Sequence, residues 1–325
     1  MEDMNICNSG DAKPEQLVSV VVITYNSSQT VVETLDSIKT QTYQNIELIV
    51  SDDCSSDNTV EVVQNWIDEN YSRFYDVQLV TTGNNTGVAG NINRGIAHSH
   101  GEWIKSIAGD DLLIPSAIET YMSFVMDHFE NVRICVCDVE CFSTDGEVKP
   151  STRDAYKSFF EKECESYEMQ KKRVMTELVF VGPTYFYSRE LFNELGGYPE
   201  KYGCAEEWPF VYKIIRSGNR IFAINKKLVR YRIQYESSLC HSSDHGMTNK
   251  RHFIGMYQHY FDHPFKDLIR EGSLLTAWHY ALSYWATRLQ YRIKSDKIRG
   301  MTYFFIMLLS PLNLWRMLNR LILKI

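Results

Sequence analysis

The chain has 325 residues, 44% of them hydrophobic and 23% charged, enough for one large globular domain with an appendage, or for two domains. Its net charge of −7 excludes the basic excess usual in a nucleic-acid binder, and no unbroken apolar run approaches the roughly 20 residues of a spanning helix. The charge is lopsided: residues 288–325 hold eight Lys or Arg and one acidic residue, a local +7, which leaves −14 for the rest.

Residues 1–16 are a polar lead-in without a basic-then-apolar leader, which points to the cytoplasm. The β-branched run 17–24 predicts a strand buried on both faces. Val31, Leu35 and Ile38 then recur at helical spacing, and 45–53 is a second buried strand. The next helix opens on cap-type residues, with Asn58 and Glu61 spaced as a capping box. A third strand (77–82), a third helix from 88, a fourth strand (102–111) and a helix opening at Pro115 follow.

Four strand–helix alternations in about 110 residues predict βαβ units and a doubly wound α/β sheet. Ligands bind such sheets beyond the carboxyl ends of the strands. Polar clusters fall at those ends: Thr24-Tyr25-Asn26, Asp52-Asp53, residues 84–87 and Gly109-Asp110-Asp111. Past residue 140 the alternation is lost. Residues 143–172 read as a loop or short helices, 179–199 as a strand, a helix and a Gly-Gly turn, 205–218 as a helix, 220–233 as one or two strands, and the chain from 247 as helical.

Eight cysteines make no small-domain disulfide framework. Cys135, Cys137 and Cys141 match no common zinc spacing, and their segment reads as a buried strand. The Asp110-Asp111 pair has two readings: a solvated turn with a helix cap, or oxygen ligands for a hard divalent ion that bridges a diphosphate. Asp52-Asp53 either caps a helix or accepts hydrogen bonds from a base or a ribose. Glu206-Glu207 either favours a helix dipole or supplies a general base, partly shielded by Trp208.

Taken together these segments resemble glycosyltransferase family 2, over roughly residues 17–235. The densest piece is VSVVVITYNSSQTVVETLDSIKTQTYQNIELIVSDDCSSDNT, followed by NTGVAGNINRGIAHSHGEWI, the GDD step, GGYPEKYGCAEEWPF and LVRYRI. The resemblance implies a GT-A fold, with a mostly parallel sheet flanked by helices. It implies catalytic residues 17–240, in a nucleotide-binding half (17–111) and an acceptor-side half (112–240), followed by a helical extension (241–325). It assigns Thr24, Tyr25, Asn26 and Glu33 to the nucleotide pocket, with Asn93 also on the donor side. Asp53 binds the base, with Asp52 in support. Asp110 faces the ribose or sugar, and Asp111 holds Mn²⁺ or Mg²⁺. Glu207 takes the catalytic position, with Glu206 and Trp208 on the acceptor side.

The chain departs from the family pattern at Ala108, where many members have Asp, at Ile92, where Arg is frequent, and at Gln234, where many have His; His241 lies further on. The implied activity is inverting transfer from a nucleotide sugar, UDP-linked by default, to a saccharide or lipid-linked saccharide of a surface polysaccharide. A sugar nucleotidyltransferase would need a basic Gly-rich loop after the first strand, and TYNSSQT has neither Gly nor Lys. A non-catalytic nucleotide-sugar binder would not need both Asp111 and Glu207.

The C-terminal segment is read in two ways. Residues 301–310 are apolar but too short to span, and Pro311 interrupts them. Asn313, Arg316, Arg320 and Lys324 then share one helical face, and Leu314, Leu318, Leu321 and Ile325 another, with Trp315 suited to an interface. That pattern fits a helix lying on the inner face of the cell membrane, or one packed on the catalytic domain.

Overall fold

An unbroken β-branched run has no polar face to turn to water, so it settles where both faces are covered. In the computed structural model, which describes residues 15–128, 132–143, 146–149, 166–176, 182–233 and 249–314, Val18–Thr24 (β1) and Ile46–Asp52 (β2) do this at the centre of a sheet. Val31–Lys39 (α1), Thr59–Asn70 (α2), Asp76–Thr81 (β3), Gly87–Ala97 (α3) and Trp103–Ala108 (β4) complete the first half. β1 pairs in parallel with β2 and β4, and β2 with β3. The chain therefore winds outward from β1 in both directions, and the switch point of the sheet lies between β1 and β4.

The second half joins the same sheet. Its elements are Leu112–Leu113 (β5), Ala117–Asp127 (α4), Ile134–Ser143 (β6), Val148–Lys149 (β7), Tyr167–Val174 (α5), Phe186–Ser188 (β8), Arg189–Leu195 (α6), Glu207–Arg216 (α7) and Phe222–Ile233 (β9). The strand order is β3-β2-β1-β4-β8-β6-β9-β5, with β7 on β6. β8 runs antiparallel to β4 and β6, while β9 runs parallel to β6.

Strand alternation divides the interior into two cores. Val18, Val20 and Val22 face α1, α2 and α4, together with Cys135, Cys137 and Cys141 of β6. Val21 and Ile49 face α3, α6 and α7, with Ile134 and Val136 on the same side. The cysteines of RICVCDVECF thus pack as core side chains of a buried strand.

Two local expectations are corrected. Asn58 makes no side-chain cap bond on α2. Asp57 Oδ1 instead accepts the Thr59 amide at 3.0 Å, and its other oxygen accepts the Ser28 amide at 3.2 Å. A carboxylate is the stronger acceptor and here serves two loops at once. Pro115 does not open α4: the helix starts at Ala117 with Ser116 at the cap position, and the Pro115 carbonyl accepts the Thr42 amide at 2.9 Å.

Lys250–Asp262 (α8), Pro264–Arg270 (α9), Leu274–Gln290 (α10) and Asp296–Leu308 (α11) form the helical end. α8 and α9 lay Tyr260 and Leu268 into the second core, and Ala277 of α10 follows them. α11 folds back on α10, where His279 Nδ1 lies 2.7 Å from Ser310 Oγ and the Ser283 and Tyr303 hydroxyls meet at 3.1 Å. Residues 315–325, which carry Trp315, Arg316, Leu318, Arg320, Leu321, Lys324 and Ile325, lie outside the described residues.

Candidate active site

A cavity of about 1530 Å³ opens beyond the carboxyl ends of β1 and β4. Thr24, Tyr25, Asn26, Asp53, Asp110 and Asp111 line one part of it, and Gly182, Glu206, Glu207 and residues of α8 line another.

The wall beyond the end of β1 is built by loop-to-loop hydrogen bonds. Asn26 takes a left-handed φ of 52°, which Asn tolerates better than most residues. Its Oδ1 accepts the Ser56 amide at 2.8 Å, and its own amide donates to Ser55 Oγ at 2.8 Å. The β1 loop is thereby tied to the loop before α2, and Tyr25 is left projecting, 52% exposed. Asp53 accepts from the Thr86 and Gly87 amides, from Thr86 Oγ1 and from Arg94 Nη2 at 3.0 Å. Burial pushes this carboxyl up, but the donors from Thr86, Arg94 and Gly87 outweigh burial and hold it below the usual Asp range. Asp53 therefore lines the cavity as an ionised group that also steadies the start of α3.

Asp110 and Asp111 follow a close approach of two strands. The Gly109 amide donates to the Ile23 carbonyl at 2.9 Å, and a Cβ at position 109 would stand 2.9 Å from Thr24 Cγ2. Glycine therefore lets β4 end against β1 and deliver both carboxylates to the cavity. Asp111 is buried and its Oδ1 accepts the Arg232 amide at 2.9 Å. Burial, and then the neighbouring Asp110, push its carboxyl well above the usual range. Burial raises Asp110 too, opposed by the Arg232 charge. The Arg232 side chain donates to the Asp110 carbonyl at 2.8 Å and pairs with Glu33 at 2.6 Å.

Across the cavity, α7 begins at Glu207 with Glu206 as its cap residue. Glu207 Oε1 accepts the Gly182 amide at 2.7 Å. Glu206 is buried and its Oε2 has no hydrogen-bond partner among the described residues. Burial, and then Glu207, push its carboxyl well above the usual range.

Four of the expected site residues lie outside the lining. Asp52 is spent locally: it accepts Thr24 Oγ1 at 2.8 Å and the Ser55 amide at 2.9 Å, so it fastens the end of β1 to the turn after β2. Glu33 is tied to Arg232 and faces solvent along α1. Asn93 latches α3 to the turn after α6, since its Nδ2 donates to the Tyr198 carbonyl and its Oδ1 accepts the Tyr198 amide, both at 2.9 Å. Trp208 points into the second core, where Nε1 donates to the Val174 carbonyl at 2.7 Å and the ring packs on His259. It follows Glu207 on a helix, so its direction differs by about 100°.

Arg94, Arg232, Gly182 and Lys105 were not singled out by sequence reasoning. The signal for Lys105 was there, a single charge in the otherwise uncharged stretch WIKSIA. Arg232 belongs to the YR step, but nothing in the sequence says that it folds back under Asp110.

Several comparisons bear on this geometry. The family model "Glycosyl transferase family 2" matches residues 19–196. The putative glycosyltransferase EpsE of Bacillus subtilis is 32% identical over 111 residues, 34% of this chain and 39% of that protein. The poly(ribitol-phosphate) beta-N-acetylglucosaminyltransferase TarS of Staphylococcus aureus is 25% identical over 221 residues, 67% of this chain and 36% of that protein. The chain thus spans less than two-fifths of the length of these curated relatives. The structure of TarS 1–349 in complex with UDP-GlcNAc superposes with a TM-score of 0.60 at 18% identity, covering 89% of this chain and 79% of that one. The mannosyltransferase PcManGT of Pyrobaculum calidifontis, in complex with GDP-Man and Mn²⁺, gives 0.57 at 19% identity, covering 93% and 84%. These likenesses establish the fold: an α/β sheet of GT-A type with a C-terminal helical region.

Proposed function

Because the chain belongs to glycosyl transferase family 2, we propose that it moves one sugar from a nucleotide diphosphate donor onto a hydroxyl of a saccharide or lipid-linked saccharide, with inversion. The observation that carries this reading is the single cavity into which the Asp110-Asp111 pair and the Glu206-Glu207 pair both open. A UDP-sugar is the favoured donor, since the TarS fragment of the same fold was crystallised with UDP-GlcNAc.

Thr24, Tyr25 and Asn26 shape the nucleotide end, and Asp53 is its base-side carboxylate. Asp110 faces the ribose or sugar. Buried Asp111 and half-buried Asp110, side by side and both raised by burial, fit a hard divalent cation that takes its other oxygens from phosphate and water. Asp111 is the residue that would hold Mn²⁺ or Mg²⁺, which supplies charge neutralisation to the departing diphosphate. Glu207, one oxygen held by the Gly182 amide, takes the proton of the acceptor hydroxyl. The deprotonated acceptor oxygen bonds to the anomeric carbon from the face opposite the diphosphate, and the electron pair of the breaking carbon–oxygen bond leaves with the diphosphate. Glu206, its carboxyl raised by burial, lies beside the base.

The test is a thermal-shift series with UDP, UDP-sugars and GDP-mannose, with and without Mn²⁺. A bound donor stabilises the fold by mass action, about 2.7 kcal/mol at one hundred times Kd. A shift for a nucleoside diphosphate series that grows with Mn²⁺ supports the reading. No shift from any nucleotide at millimolar concentration would remove it.

A membrane contact through the helical end belongs to the same proposal. No helix among the described residues is long and apolar enough to cross a bilayer. The α10–α11 hairpin nonetheless exposes Trp278, Trp285, Met301, Phe304 and Phe305, each at least half exposed. Arg288, Arg292, Lys294 and Lys297 lie at or near its turn and are exposed. Apolar side chains beside a basic cluster suit an anionic lipid surface, and such a location would present a lipid-linked acceptor to the cavity.

A further inference from the structure

Lys105 sits in the middle of β4 and is fully buried. Burying an ammonium costs several kcal/mol unless its three donors are matched. Here they are matched by backbone carbonyls. Lys105 Nζ donates to the Pro183 carbonyl, to the Tyr185 carbonyl at 3.2 Å and to the Ser106 carbonyl at 3.4 Å. Three carbonyl acceptors suit the protonated amine, which has three hydrogens, better than the free amine, which has two. The ammonium also lies 5.5 Å from the centroid of the Tyr121 ring. The Tyr121 hydroxyl in turn donates to the Thr184 carbonyl at 2.9 Å. Two buried side chains thus satisfy all three carbonyls of residues 183–185.

These carbonyls belong to a tight turn, Gly182–Thr184. Thr184 and Tyr185 are themselves buried, so their backbone oxygens need internal donors. With its carbonyls anchored inward, the turn presents its leading amide to the cavity, and that amide is the one bonded to Glu207 Oε1 at 2.7 Å. The contact is tight: a Cβ at position 182 would stand 2.5 Å from the same oxygen. The position of the carboxylate is therefore set by the turn, and that of the turn by Lys105 and Tyr121.

We propose that Lys105 and Tyr121 are positioning residues for Glu207, acting from inside the core through the Gly182–Tyr185 turn. The inference rests on the reading of Glu207 as the base. It makes Lys105 matter to the reaction although the cavity is not lined by it.

The test is a double-mutant cycle on transfer kinetics, with Lys105→Met, Glu207→Gln and the double variant. Lys105→Met keeps the volume and removes the three donors. It should lower kcat about ten- to a hundredfold, as a misplaced catalytic group does, with the donor KM within about twofold. Losing the Gly182 contact should also move the acid limb of the kcat–pH profile upward. The double variant should be no slower than Glu207→Gln, within about a factor of two. An equal further loss in the Glu207→Gln background would show that Lys105 acts elsewhere and would overturn the inference alone. So would a Lys105→Met kcat within twofold of wild type. If Glu207→Gln itself is mild, the base assignment and the inference both fall. Should Lys105→Met not fold, Tyr121→Phe removes one oxygen and one carbonyl partner, and the same cycle applies with a loss of about three- to tenfold.

Discussion

Glu206 and Glu207 are adjacent carboxylates with opposite circumstances. Burial raises the Glu206 carboxyl well above the usual range, whereas Glu207 accepts the Gly182 amide. A neutral Glu and a Gln have nearly the same shape, so Glu206→Gln should change the rate by less than about tenfold. Glu207→Gln removes the proton acceptor and should cost about two to four orders of magnitude. The reverse ranking, measured in one transfer assay, would exchange the two roles. Asp111→Asn should abolish the response to Mn²⁺ and leave the far-ultraviolet spectrum of the fold unchanged; a variant that still needs the cation for turnover would place the metal elsewhere.

At this scale the sequence was informative where a residue type is rare in its setting. Paired carboxylates at the end of an apolar strand or the start of a helix are such a signal, and Asp110, Asp111, Glu206 and Glu207 all line the cavity. It was uninformative where the direction of a side chain decides. Trp208 and Asn93 sit beside site residues in sequence and turn away from the cavity in space. Arg232 reaches Asp110 from more than a hundred residues away, a contact that no local spacing encodes.

The elements of the first half were legible because buried strands and amphipathic helices have different periods, and β1 and β2 fall within one residue of their expected limits. Cap chemistry was less legible, since several adjacent polar residues compete: Asp57 serves α2 where Asn58 was expected. Helix α8 carries a feature that no pattern announced. His259 is buried, with neither ring nitrogen hydrogen-bonded among the described residues, and lies among the rings of Tyr202, Trp208, Tyr212 and His263, with Asp262 and His263 as its charged or titratable neighbours. Burial, and then His263, lower its pKa from 6.5 to about 3.

The unfolded chain therefore takes up a proton near pH 6.5 that the folded chain refuses. Stability is unaffected above that pH and falls below it, by up to about 1.4 kcal/mol per pH unit, until the folded pKa is reached. His259→Phe keeps the ring contacts and removes both unpartnered nitrogens. Urea melts between pH 7 and 4 should show a shallower loss of stability in this variant. Parallel pH curves for the two proteins would mean that His259 does not refuse the proton.

For the whole molecule, the helical end connects one wall of the cavity to the exposed hairpin. Arg251, Ile254 and Gln258 of α8 line the cavity, α8 packs on the second core through Tyr260, and α10 and α11 continue from it to the exposed hairpin. The double substitution Phe304→Ser and Phe305→Ser changes only exposed rings. It should leave the melting temperature within about 2 °C of wild type and reduce co-sedimentation with anionic vesicles at least severalfold at low salt. Equal sedimentation of both proteins would assign the hairpin face to another partner.

The most direct measurement for the central claim separates donor binding from turnover in two variants, with a UDP-sugar and Mn²⁺. On the proposed reading the Asp110-Asp111 pair serves the donor and Glu207 is the base, so the two functions should come apart. Glu207→Gln should bind the donor with a Kd within about threefold of wild type, while nucleoside diphosphate release falls by about two to four orders of magnitude; Asp111→Asn should lose both. Release at the wild-type rate from Glu207→Gln, or from Asp111→Asn, would contradict a transferase built on these two walls.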